Sequence, residues 1–120
     1  MSDAHDLGRR GEDLAAAVLR RRGWEILARN FRVGRKEIDL IVRRGEVVAF
    51  VEVKTRAGPA YGHPLEAITW AKRREIERVA RVWAATHGLP GDLYRFDAVA
   101  ITWGGDGSVL VEHVEDAWRL

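Results

Sequence analysis

Four charged side chains in two short, otherwise apolar stretches have the types and spacing to do chemistry. Glu37 and Asp39 lie in EIDLIV, residues 37–42, and Glu52 and Lys54 lie in VVAFVEVK, residues 47–54. Side chains of an extended chain alternate between faces, so Glu37 points with Asp39 and Glu52 with Lys54. Arg43-Arg44-Gly45, a Gly-containing hairpin signal, joins the two stretches. A two-residue loop at Arg44-Gly45 pairs Arg43 with Glu46, Asp39 with Phe50 and Glu37 with Glu52, and sets all four charges on one sheet face. Opposed Cβ atoms in such a pair lie about 5 Å apart and diagonal neighbours within about 8 Å. Three carboxylates at that spacing repel one another and resist desolvation, and a single lysine offsets part of that. A hard divalent cation would supply the rest: Mg²⁺ takes one or two protein carboxylates with waters and phosphate oxygens. Beside a phosphodiester such an ion lowers the pKa of a bound water and offsets charge on the scissile group. Lys54 would then orient the water or neutralise the developing charge. The competing reading is the solvated face of an amphipathic hairpin. Against it stand Val47, Val48, Phe50, Val51 and Val53, which argue for a central strand, where stray charges are costly.

The elements that must position these groups follow from pattern and punctuation. Asp3 or Asp6 caps a helix expected over residues 7–22, with Gly23 just past its end. Glu12, Ala15, Ala16 and Leu19 follow helical spacing, which turns Glu12 toward the inner face. WEILARNF reads as a first strand and VGRK as a turn, followed by the two strands of the hairpin. AGPAYGHP, residues 57–64, is a loop. A long helix is expected over residues 65–87, with Ile68, Ile76, Val79, Ala80 and Trp83 as its apolar stripe. YRFDAVAIT and SVLVEHV are two further strands. The order is α-β-β-β-α-β-β, an α/β protein of one domain over residues 1–120, with a mixed central sheet flanked by helices.

Composition bounds the class. The chain has 120 residues, 47% hydrophobic and 32% charged, with a formal net charge of +2 and no cysteine. Thiolate metal sites and disulfides are thereby excluded. No run of about 18 apolar residues offers a membrane span, and the N-terminal stretch lacks the apolar block of a signal peptide. The expectation is a cytoplasmic protein without a membrane partner. The charge is polarised: Arg20, Arg21, Arg22, Arg29, Arg32, Arg35 and Lys36 crowd one region, Lys72, Arg73, Arg74, Arg78 and Arg81 another, and the last stretch is acidic.

EIDLIV followed by FVEVKTR after a short hairpin resembles the PD-(D/E)xK nuclease superfamily, with its restriction-endonuclease-like fold. The closer resemblance is to the YraN family of predicted endonucleases, similar to archaeal Holliday junction resolvases. It extends through GRRGEDLA near the start, ARNFR before the acidic strand, YGHP in the loop and RFDAVAI late in the chain. The resemblance implies a metal-binding acid at Asp39, a second acid sharing the metal at Glu52, and the motif lysine at Lys54. It also implies a completing helix glutamate at Glu12 and a supporting role for Glu37. The implied cofactor is Mg²⁺ or Mn²⁺. The implied reaction is phosphodiester hydrolysis in DNA, branched DNA among its forms, leaving 5′-phosphate and 3′-hydroxyl ends. The chain departs from the family at Lys36, where Gly is usual before the Glu; Gly34, two residues earlier, is expected to take over the turn.

Arg56, directly after the motif strand, is a candidate for substrate contact, with Arg35 and Lys36 beside it in rank. Lys72 and Arg73 are candidate phosphate ligands at the start of the long helix's basic segment, weighed against a solvated face with helix ion pairs to Glu75 and Glu77. Asp97 would support the site or form a structural ion pair with Arg95. His63 reads as a loop histidine within reach of a phosphate. The five tryptophans are scattered and read as core or interface rather than as base-stacking platforms. A symmetric homodimer would supply two active sites for two strands. The rival function is a noncatalytic nucleic-acid-binding or adaptor module that retains the nuclease scaffold.

Overall fold

The apolar stretch around Phe50 becomes the middle strand of a five-stranded sheet. The computed structural model describes residues 4–58, 66 and 68–119, with only the backbone of residues 4 and 5. The elements run α1 (Ala4–Arg21), β1 (Glu25–Val33), β2 (Lys36–Arg44), β3 (Val47–Ala57), α2 (Trp70–His87), β4 (Leu93–Trp103) and β5 (Val109–Trp118). This is the expected α-β-β-β-α-β-β order and is consistent with a restriction-endonuclease-like fold. Asp3, Tyr61, Gly62, His63 and Pro64, which entered the sequence reading, lie outside the described residues.

The strands lie in chain order, β1-β2-β3-β4-β5. β3 and β4 are parallel and joined through α2; the other neighbours are antiparallel. A helix covers each face. α1 sets Ala15, Ala16 and Leu19 against Leu40, Val42, Val51 and Val99, all buried. α2 sets Ile76, Val79, Ala80 and Trp83 against Ile41, Val48, Phe50 and Phe96. Burial on both faces explains why β3 reads as a nearly continuous apolar run. Among the described residues no helix is long and apolar enough to cross a membrane.

Gly23, at φ +91°, ends α1 as expected: its N–H donates to Arg20 O, and the next N–H, of Trp24, returns to Leu19 O. α2 begins at Trp70, later than the expected residue 65. Thr69 is extended at φ −67°, ψ 160°, and its hydroxyl accepts from Lys72 N, which fixes the first turn there. Ile68 is buried in the α2 core, although it precedes the helix whose stripe it was expected to join.

The hairpin register differs from the expected one by two residues. Arg44 pairs with Val47, Arg43 with Val48, Ile41 with Phe50 and Leu40 with Val51. The loop is Gly45-Glu46, not Arg44-Gly45. Gly45 takes φ +62° at the first loop position, where type II′ hairpins require it. Within the paired part a shift of two leaves side chains on their expected faces. Continued one step past the last pair, Leu40 with Val51, it sets Asp39 rather than Glu37 at the level of Glu52.

Candidate active site

The paired part of β2 and β3 ends at Leu40 and Val51, although both strands run on. Beyond that point the N–H of Val53 donates to Asp39 Oδ2 at 2.8 Å. A carboxylate thus takes the place of a ladder carbonyl, and the strands part around it. Strict alternation fails here as well. Ile38 and Ile41 both pack in the α2 core, while Asp39 lines a cleft of about 430 Å³ with Leu7, Gly8 and Glu12 of α1 and with Lys54, Thr55 and Arg56 of β3. The expected single flat face is therefore a notch at the sheet's opened end, reached by side chains from α1, β2, β3 and α2.

Glu52 is the costly member. It is only 4% exposed, and its Oε2 is buried without a hydrogen-bond partner. Its Oε1 lies 3.5 Å from Lys54 Nζ and 4.0 Å from Lys72 Nζ. Burial pushes its carboxyl above the usual range, against the pull of Lys72 and then Lys54. The carboxyl of Asp39 is pushed up to about 8, first by burial and then by the charge of Glu52, with smaller contributions from Glu12 and Glu37; the bond from Val53 works the other way. Burial raises both carboxyls, and the charge of Glu52 raises Asp39 further while the two lysines and Asp39 pull Glu52 back, so the pair is short of positive charge.

Glu12 is half-buried on α1 and accepts from Asn30 Nδ2 at 2.8 Å. Asn30 adopts φ +52° within β1, a left-handed conformation that Asn tolerates better than other side chains. Glu12 also borders a second cleft, of about 480 Å³, with Arg9, Arg29, Arg32 and Glu37. Glu37 accepts from Arg32 Nε at 3.0 Å. Gly11 is buried where a Cβ would overlap Thr55 Oγ1, so α1 lies directly on β3 beside Glu12.

Of the expected site residues, the structure thus brings Asp39, Glu52 and Lys54 together and sets Glu12 and Glu37 along the adjoining clefts. Asp97 stands elsewhere. It is fully buried and accepts from Arg95 at 3.0 and 3.1 Å, from the backbone N–H of Asp116 at 3.0 Å, and lies 2.7 Å from His113 Nε2. Neither Asp39 nor Glu52 is among these partners, so its place is that of the structural alternative, enlarged to a network.

Among the basic candidates, Arg56 lines the cleft but also donates to Thr102 Oγ1 at 3.1 Å and lies 3.7 Å from Glu112. Lys36 reaches Glu75 of α2 at 2.8 Å, tying the start of β2 to that helix. Arg35 is exposed in the β1–β2 turn, where Gly34 takes φ +62° as expected. Arg73 lies over the Trp70 and Trp118 rings. Lys72, a candidate phosphate ligand, faces the carboxylates, with its Nζ 4.0 Å from Glu52 Oε1.

Three contributors escaped the sequence reading: Gly11, Asn30 and the inward role of Lys72. Asn30 had a usable signal, as the chain's single asparagine in a strand otherwise suited to apolar and cationic side chains.

An α/β protein of restriction-endonuclease-like architecture, opened at the sheet end around two acids and two lysines, is thus the class in view. Residues 11–101 match the family described as "Uncharacterised protein family UPF0102". A UPF0102 protein of Nocardia farcinica is 43% identical over 96% of this chain and 91% of its own length. One of Rhodococcus jostii is 46% identical over 96% and 99%, and one of Chloroherpeton thalassium 49% identical over 78% and 73%. The chain belongs to the UPF0102 family.

Proposed function

We propose that this protein is a metal-dependent endonuclease that hydrolyses phosphodiester bonds in DNA, branched DNA included, and that it works in the cytoplasm. One observation carries the reading: Glu52, buried with an unpartnered oxygen, stands beside an Asp39 whose carboxyl is pushed up to about 8. A merely structural pair would not be left so short of positive charge, since buried polar groups are as a rule satisfied. The donor set fits Mg²⁺ or Mn²⁺, hard ions that accept two protein carboxylates and keep waters for the remaining positions. Asp39 and Glu52 would hold the ion. When bound it would supply a water of lowered pKa and offset charge on the phosphate.

The chain's own groups do the rest. Lys54, partly exposed beside Glu52, donates to a water or phosphate oxygen arriving from the cleft. Lys72 supplies a second positive charge from α2. Arg56 holds a flanking phosphate. The water oxygen bonds to phosphorus as the bond to the 3′ oxygen breaks, leaving a 5′-phosphate and a 3′-hydroxyl.

A noncatalytic nucleic-acid-binding or adaptor role is the second reading, and one observation favours it. Among the described residues no three of His, Cys, Asp and Glu converge closely enough to hold a metal without movement, and Glu12 is engaged by Asn30. A panel of labelled DNA duplexes, flaps and junctions with Mn²⁺ separates the two. The nuclease reading expects cleavage by wild type and at least a hundredfold less by Lys54→Ala. Equal residual cleavage by both points to a contaminant.

A further inference from the structure

Trp70 departs from the pattern of the other tryptophans. Trp24, Trp83 and Trp118 are buried and Trp103 is half-buried, but Trp70 is 74% exposed, the largest exposure among the described large apolar side chains. It is also held in place. The Arg73 guanidinium lies 4.7 Å from the centre of the Trp70 ring and 5.4 Å from that of Trp118. Trp118 in turn stacks on Phe96 at 5.1 Å. A ladder of flat groups therefore runs from the core to the exposed indole and fixes its orientation.

The surroundings of Trp70 are basic. Arg74, Arg78 and Arg81 follow it at spacings of four, four and three residues, which places them on one helical face, and all three are exposed. Glu75 is turned to Lys36, and Glu77 is half-buried. In the same first turn Lys72 reaches Glu52. Side chains two residues apart do not face each other on a helix, so Trp70 is separated from the carboxylate pair by the width of α2, roughly 10–12 Å, together with the reach of the Lys72 side chain. A nucleic-acid strand at its stacked rise of about 3.4 Å per nucleotide covers that span in several nucleotides.

An exposed, pre-oriented indole heading a ridge of arginines has the chemistry of a single-strand platform: the ring takes a base face, and the guanidinium groups take the phosphates that follow. We propose that Trp70, backed by Arg73, stacks on an unpaired base of the substrate strand several nucleotides from the cleaved bond, with Arg74, Arg78 and Arg81 along the strand's path. This rests on the nuclease reading for the word substrate. It narrows that reading to strands with an unpaired segment beside the cleavage site, in preference to continuous duplex.

The test uses the full chain in metal-free buffer with three probes: oligothymidine of about 20 nucleotides, a blunt duplex, and that duplex with a short unpaired tail. Wild type is expected to lose tryptophan emission on binding the oligothymidine and the tailed duplex. Trp70→Ala should bind those two roughly 5- to 100-fold more weakly, the range of one lost base–aromatic contact, and the blunt duplex as before. Trp70→Phe should restore most of the affinity. Arg78→Ala should lower the salt slope for the single strand by about 0.7. Unchanged melting of Trp70→Ala confirms a folded variant. Equal binding of all probes by Trp70→Ala and wild type overturns the proposal. So does a fall in solution mass on substitution, which would assign Trp70 to a protein interface. The outcomes separate from those of the nuclease reading: emission loss without divalent binding fails the nuclease alone, and divalent binding without emission loss fails the platform alone.

Discussion

The N–H of Val53 donates to Asp39 Oδ2 at 2.8 Å, so the strand that carries Glu52 and Lys54 is pinned to the acid it faces. One hydrogen bond thereby does two things. It satisfies a backbone donor at the point where β2 and β3 part, and it holds Asp39 beside Glu52 in surroundings that resist a second negative charge.

Stability should record that resistance. The carboxyl of Asp39 is raised from its ordinary 3.8 to about 8 in the fold. A folded pKa above the unfolded one gives stability that is full below about pH 4 and is lost as the pH rises through about 8. Asp39→Asn cannot ionise. In metal-free buffer its melting temperature should come closest to that of wild type near pH 4 and exceed it increasingly up to pH 8, by roughly 4 °C or more. Millimolar Mg²⁺ should raise wild type alone. Parallel melting curves across this range would contradict the buried-pair account.

The two acids should also titrate together. After burial, the charge of Glu52 is the largest influence raising Asp39. Glu52→Gln removes that charge and keeps the shape, so carboxyl ¹³C shifts should show Asp39 titrating at lower pH, though still above the ordinary range because burial persists. No movement would mean that the carboxyls do not sense each other.

Glycine at position 11 should be required by the approach of α1 to β3. Gly11→Ala drives a methyl into Thr55 Oγ1 and should cost about 1–3 kcal/mol in chemical denaturation. Thr55→Ala in the same chain should recover most of it. A neutral Gly11→Ala would mean that the helix sits further from the strand.

The Thr69 cap positions Lys72. Thr69→Ala should destabilise the protein by about 1 kcal/mol, Thr69→Ser should restore it, and the Glu52 carboxyl should titrate higher as Lys72 loosens. Equal stability of all three would remove Thr69 from that role.

Much of this arrangement was legible in the chain. The unbroken apolar run around Phe50 marked the central strand, and period-two placement put Glu52 with Lys54. What misled was local. A glycine suits either position of a two-residue loop; the positive φ of Gly45 belongs to the first, which sets the pairing two residues from the expected one. Ile68 continued an apolar stripe, so α2 seemed to begin before its Thr69 cap. Asn30 turns left-handed inside a strand, which periodicity does not report. The exposure of Trp70 depends on which face of α2 meets the sheet, and its residue type alone pointed to the core. Asp97 shared a predicted face with Arg95, as found, but the His113 and Asp116 contacts come from β5, whose register no local pattern fixes.

Calorimetric titration of Mn²⁺ into wild type, Asp39→Ala and Glu52→Gln bears most directly on the central claim, that the buried acids of β2 and β3 are a cation site. Wild type should bind with one strong site at pH 8, and more weakly at pH 6, where Asp39 keeps its proton. Both variants should lose that site while still binding DNA. Binding of equal strength in all three proteins, or none in wild type with DNA present, would contradict it.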